Sequence, residues 1–129
     1  MKLQLVYFGV QAKAEAARMS LAYGGIAWTD ETVTSYFGDG GWPEHKARTP
    51  YGQLPLLVVD DKDVIAQTPA IARFVAQLVE AEQPGFCPSS PLAAALCDSV
   101  YFAAEELSLV NGLLNVFKDE VRAAKLAHT

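Results

Sequence analysis

Residues 52–69 read Gly52-Gln53-Leu54-Pro55-Leu56-Leu57-Val58-Val59-Asp60-Asp61-Lys62-Asp63-Val64-Ile65-Ala66-Gln67-Thr68-Pro69, and this stretch decides the fold. Residues 54–59 are a short apolar run behind a glycine, the pattern of a strand buried on both faces. Asp60-Asp61-Lys62-Asp63 has the composition of a hairpin turn, and Val64-Ile65 begins the return strand. Thr68-Pro69 reads as a helix start, with threonine at the N-cap and proline in the first helical position. Ile71, Phe74, Val75, Leu78 and Val79 then recur at i, i+3, i+4, i+7 and i+8, one face of an amphipathic helix.

Upstream, residues 3–8 are β-rich and end at Gly9. Residues 11–23 are helix formers stopped by Gly24-Gly25. Within them Glu15 and Arg18 stand three apart and can pair, while Ala14, Ala17, Leu21 and Ala22 form a narrow face for close packing. Residues 28–33 read as a second strand by β-propensity, and residues 35–49 as a loop with one short helix at 42–47. Downstream, Gln83-Pro84-Gly85 reads as a linker. Ser89-Ser90-Pro91 opens a helix over 92–109, Asn111-Gly112 interrupts it, and 117–127 is a further helical stretch. The order is β-α-β-α-β-β-α, a linker, then helices: an α/β domain over 1–82, a linker over 83–88 and a partial all-α domain over 89–129. The two early βα units predict a parallel pair, the hairpin adds antiparallel strands, and helices must cover both sheet faces.

Composition excludes several function classes. The chain has 129 residues with 10 basic against 15 acidic, a net charge of −5, and no basic run. That disfavours nucleic acid and anionic membranes as partners. The longest apolar run, 54–59, falls far short of the roughly 20 residues of a spanning helix. The N-terminal ten residues are too short for a signal segment and are interrupted by Gln4, so a cytoplasmic location is expected. Cys87 and Cys97 have neither CxxC nor metal-ligand spacing, and they read as reduced thiols with no metal.

The motifs Tyr7-Phe8, Ala14-Glu15 with Arg18, Trp42-Pro43 before Lys46, Gly52-Gln53-Leu54-Pro55, Gln67-Thr68 and Ala70-Ile71-Ala72-Arg73-Phe74 occur in order. Together they resemble the glutathione-binding domain of the cytosolic glutathione S-transferase family, nearest its sigma-like, glutathione-dependent prostaglandin D synthase-like classes. The resemblance spans residues 3–80 strongly and 85–129 weakly. It implies a thioredoxin-like domain followed by an incomplete all-α domain, glutathione as co-substrate, a small hydrophobic electrophile, a detoxifying role and a homodimer. The chain is shorter than the family's usual length and offers two all-α helices at most, so it reads as C-terminally truncated, with an exposed apolar patch expected as a result.

The resemblance also assigns roles. A free thiol titrates near 8.5 and the thiolate is the nucleophile, so a donor that bonds the sulfur anion lowers its pKa. Tyr7 would be that donor, with Phe8 beside it; read alone, Tyr7 is equally a packed strand-end aromatic. Leu54, before a proline that is cis in such folds, would pair its backbone with the cysteinyl part of glutathione, with Pro55 and Gln53 alongside. Gln67 and Thr68, at a helix N-terminus, would hold the γ-glutamyl carboxylate, although Thr68 can equally cap its own helix. Trp42 and Lys46, four apart, would hold the glycyl carboxylate, or else be a half-buried tryptophan and a surface ion-pair lysine. Lys13 stands where sigma-like members often have arginine; it keeps the charge and loses the fork geometry. His45 reads as solvated rather than catalytic. Tyr51 falls where some classes place an aromatic key that enters the neighbouring subunit, and Asp98 has no assigned role. Two other readings follow from the same residues. One is a non-catalytic transferase-like binding or assembly module. The other, a thiol–disulfide enzyme, is disfavoured because residues 8–14 hold no cysteine.

Overall fold

The strand order is β2-β1-β3-β4, formed by β1 Leu3–Val6, β2 Thr29–Glu31, β3 Leu56–Val59 and β4 Asp63–Ala66. The structure is a computed structural model, and the residues it describes are 1–110. β1 runs parallel to β2 and antiparallel to β3, and β3 is antiparallel to β4, as the βα units and hairpin predict. Every residue of β3 is buried, so the strand that reads as continuously apolar is covered on both faces. At the hairpin, Asp60 and Asp61 take successive left-handed conformations, φ 51° and 56°, which acidic turn residues tolerate. Lys2 ties this turn to β1: its N–H donates to Asp60 Oδ1 at 2.7 Å and its ammonium pairs with Asp61 at 2.6 Å.

A 3₁₀ turn, Ala12–Ala14, leads into helix α1, Glu15–Tyr23. α1 packs against α4, Thr68–Glu82, whose Ile71, Val75 and Val79 are buried, with Phe74 and Leu78 partly so. Ala14, Ala17 and Leu21 form the buried stripe of α1, while Ala22, expected on it, faces out. Gly24 takes over at the end of that stripe. A Cβ there would stand 3.0 Å from Val79 Cγ2 and 3.1 Å from Ile26 Cδ1. Gly24 has φ −74°, so contact rather than conformation forbids a side chain. Gly24→Ala is therefore expected to destabilise the fold by about 1 kcal/mol, read as a lowered denaturation midpoint with unchanged slope.

Three boundaries differ from the sequence expectation. β2 is only Thr29–Glu31, because Thr32 begins helix α2, Val33–Phe37, instead of extending the strand. Thr32 Oγ1 accepts from the Ser35 N–H at 3.1 Å and Ser35 Oγ from the Thr32 N–H at 2.8 Å, a reciprocal cap that competes with sheet pairing. The expected loop over 35–49 thus holds part of α2, then α3, Trp42–His45, then a 3₁₀ turn, Lys46–Arg48. The N-cap of α4 is Gln67, with φ 75°, so Thr68 is already the first helical residue.

After α4 the chain does not leave freely. Glu80 accepts the backbone N–H groups of Gly85, at 3.1 Å, and Cys87, at 2.7 Å. Phe86 stacks on Tyr23 at the end of α1, with ring centroids 5.5 Å apart, and Cys87 Sγ donates to the Ala76 carbonyl at 3.3 Å. The N–H of Cys87 first, then that of Gly85, holds the Glu80 carboxyl below its ordinary 4.5; burial, then the Glu80 charge, pushes the Cys87 thiol up. A depressed carboxylate stabilises the fold above its unfolded-state pKa, and that stability is lost as pH falls through the folded value. The melting temperature of Glu80→Ala is thus expected to lie below that of the parent at neutral pH, with the gap closing as pH falls below 4.5.

Residues Met1–Cys87 form one compact unit and Pro88 onward another. The second contains α5, Pro91–Val110, where Ser90 Oγ accepts the Ala93 N–H at 3.2 Å as the Ser-Ser-Pro motif predicts. On α5, Leu92, Leu96, Val100 and Leu107 are exposed. The interruption expected at 111–112 and the helix expected over 117–127 lie outside the described residues. No described helix is long and apolar enough to cross a membrane.

Candidate functional site

The sheet topology gathers the motifs at one end. β1 and β4 both run antiparallel to β3, so the last residues of β1 and β4 flank the first of β3: Val6 faces Leu56, and Leu56 faces Ala66. Just beyond these ends stand Tyr7 after β1, Gln67 after β4 and Pro55 before β3. The Leu54–Pro55 bond is cis, as the resemblance implies. Gln67 Nε2 donates to Gln53 Oε1 at 3.3 Å, joining the helix start to the loop before β3. Thr68 is buried while Gln53 and Gln67 are exposed.

Tyr7 is 7% exposed, and its N–H donates to the Glu31 carbonyl at 2.9 Å, which locks the residue to the end of β2. Its hydroxyl makes no hydrogen bond among the described residues, and no fully buried side-chain oxygen there lacks a partner. The ring is therefore packed while its hydroxyl has no protein partner among the described residues. Phe8 meets the Tyr7 ring edge-on at 5.4 Å and Trp42 at 5.6 Å, bridging β1 to α3. From the 3₁₀ turn after α3 the Lys46 stem lies over Gly52. A Cβ on Gly52, whose φ is +59°, would stand 3.2 Å from Lys46 Cε. Tyr7, Phe8, Trp42, Lys46, Gln53, Leu54, Pro55, Gln67 and Thr68 thus form a connected rim around the end of the sheet. Lys13 lies on the 3₁₀ turn before α1.

Two neighbours of this rim escaped the sequence reading. Arg18, anticipated as a partner of Glu15, also bonds Asp30 through Nε at 2.9 Å, and its Nη1 donates to the carbonyls of Val10 at 3.2 Å and Gln11 at 3.4 Å. It fastens the loop that follows Tyr7-Phe8. Burial alone would push the guanidinium down, but Asp30 and then Glu15 outweigh it and hold it above its usual value. His45, expected in solvent, is instead 7% exposed and stacks on Phe37 at 5.3 Å. His45 and Arg48 at i and i+3 were the available signal. Tyr51 is 65% exposed, and both cysteines are free. Among the described residues, no three His, Cys, Asp or Glu side chains group to hold a metal.

The model of the glutathione S-transferase N-terminal domain matches residues 13–78, half of the chain. The chain belongs to the glutathione S-transferase family. Glutathione S-transferase S1 of Drosophila melanogaster is 34% identical over 123 residues, covering 95% of this chain and 45% of that protein. Hematopoietic prostaglandin D synthase of Gallus gallus is 30% identical over 107 residues, 83% of this chain and 49% of that one. Among solved structures, prostaglandin synthase D of Nilaparvata lugens superposes with a TM-score of 0.76 at 25% identity, over 100% of this chain and 60% of that one. The chain spans about a third to a half of the length of the curated relatives it matches.

Proposed function

We propose that the protein is a glutathione S-transferase that presents glutathione as a thiolate, with the Tyr7 hydroxyl donating to the sulfur. The thiol proton leaves to solvent, and the sulfur lone pair attacks a small hydrophobic electrophile or assists its isomerisation. The observation that carries this reading is the Tyr7 hydroxyl, which has no hydrogen-bond partner among the described residues, on a buried ring at the end of β1. A phenol so placed can bond an anion without first breaking a bond within the protein.

The rest of the rim suits the tripeptide. Leu54 lends its main chain to the cysteinyl unit, with Pro55 and Gln53 beside it. Gln67 and Thr68, at the start of a 15-residue helix, meet the γ-glutamyl carboxylate with N–H groups and a positive dipole end. The Trp42 indole N–H and the Lys46 ammonium take the glycyl carboxylate, and Lys13 adds positive charge nearby. The exposed Tyr51 suits a homodimer contact, and a cytoplasmic, detoxifying role accompanies the assignment. The test is retention on immobilised glutathione, then conjugation of a chromogenic aryl halide. Retention with turnover is expected. Retention without turnover would reduce the protein to a binding module, and passage through the column would remove the glutathione assignment altogether.

A further inference from the structure

Residues 38–49 carry Trp42 and Lys46 on a single helical turn and a 3₁₀ turn, and a cluster around the buried His45 fixes them. The imidazole lies 13° from parallel to the Phe37 ring, and the Arg48 guanidinium sits 5.1 Å from that ring's centroid. Nε2 of His45 is 3.0 Å from the Asp39 carbonyl oxygen, and Nδ1 is 3.3 Å from Arg48 Nη1. These partners determine the tautomer. A guanidinium can only donate, so Nδ1 accepts; a carbonyl can only accept, so Nε2 carries the hydrogen. The ring is neutral in this arrangement, with both nitrogens engaged, and it spans the segment from Asp39 to Arg48 with α3 between. Arg48 also donates to the Phe37 carbonyl at 3.2 Å, closing the loop on α2.

Resting on the glutathione reading above, we propose that His45 is a positioning residue for glutathione: its neutral Nε2–H form sets the turn that presents Trp42 and Lys46 to the glycyl carboxylate, and protonation at Nδ1 releases that turn. Three polar groups face the ring. The Asp39 carbonyl is indifferent to the second proton. The Glu44 carboxylate, whose Oε2 like His45 Nε2 would meet a Cβ added at Gly40, favours a charged ring. Arg48 opposes it, and Arg48 is the charged group that touches the titrating nitrogen. A proton on Nδ1 converts an accepted hydrogen bond into two donors facing each other between two cations. The contact must open, and the arm carrying Lys46 moves with it.

The test uses S-methylglutathione, a thioether with no thiol to ionise, titrated calorimetrically into the whole chain. The two conditions are about pH 7.5 and about pH 5.5, both well above the range of the peptide carboxylates. Binding by the parent is expected to weaken about tenfold on acidification, the scale of one lost contact to a charged group. His45→Gln keeps an amide donor for Asp39 and cannot titrate, so its affinity is expected to change less than about twofold. A long-range ¹H–¹⁵N spectrum of the parent at the higher pH is expected to show His45 as the Nε2–H tautomer, with the variant identifying its signals against those of His128. No binding at the higher pH overturns the glutathione reading itself. Equal affinity at both pH values, the same loss in His45→Gln, or an Nδ1–H signature overturns the positioning role alone. Should the variant not fold, the parent's tautomer and its pH-dependent affinity decide the matter without it.

Discussion

Leu57→Ala is expected to destabilise the N-terminal unit by about 3 kcal/mol, within the roughly 2–5 kcal/mol typical of emptying a core leucine site. Leu57 is fully buried in β3, directly opposite Leu5 of β1 and Ile65 of β4. Residues opposite one another in antiparallel strands share a face, so these three side chains form one row across the sheet. Truncating the middle one leaves a void bounded by two strands that hydrogen bonding already fixes at their spacing, so the row has little room to collapse. Total stability for a domain is about 5–15 kcal/mol, so this single change removes a large share of it. The melting temperature is expected to fall by about 15 °C, at roughly 4–8 °C per kcal/mol for a unit of this size. Leu57→Met, which nearly conserves volume, is expected to cost less than about 1.5 kcal/mol. A similar loss in both variants would show that shape rather than volume governs the site.

The row through Leu57 also shows why this part of the fold is legible in the sequence. A fully apolar β3, an acidic turn and the repeat Ile71, Phe74, Val75, Leu78, Val79 are local patterns that carry their own period, and the structure follows them. α2 lacks such a pattern. Five residues cannot show a helical repeat, and the helix depends on the Thr32–Ser35 cap and on Val33 reaching the core. The start of α4 shifts by one residue because Gln67 adopts a left-handed conformation and meets Gln53, a contact between residues 14 positions apart. His45 illustrates the same limit at the site. A polar residue in a polar stretch reads as solvated, and only the Phe37 ring, folded back from α2, buries it. The candidate site residues rest on family motifs. Composition and periodicity say nothing of the arrangement that brings the ends of β1 and β4 beside the start of β3.

That arrangement gives Tyr7→Phe its expected effect, the largest of any single-atom change in the chain. The substitution keeps the buried ring and its edge contact with Phe8, and removes only a hydroxyl with no hydrogen-bond partner among the described residues. Because no partner inside the described protein loses a bond, stability is expected to change by less than about 0.5 kcal/mol, as for substitutions away from packed or paired groups. Bound thiolate, by contrast, loses a hydrogen bond to a charged acceptor, a contact of about 1.5–3 kcal/mol. At about 1.4 kcal/mol per unit, the bound thiol's pKa is expected to rise by about one to two units, towards the 8.5 of a free thiol. The sign fixes the pH dependence: the tyrosine favours the anion, so its absence matters most below the free-thiol value and fades above it. Turnover near neutral pH is expected to drop about tenfold to hundredfold, with the gap narrowing above about pH 9 as solution chemistry supplies the anion unaided. Ultraviolet absorbance of the bound thiolate across pH measures the shift directly. An identical titration curve for parent and variant, with both still retaining glutathione, would assign the ionisation to other donors at the rim, the backbone N–H groups among them. The fold would stand unchanged and the chemistry would move off Tyr7.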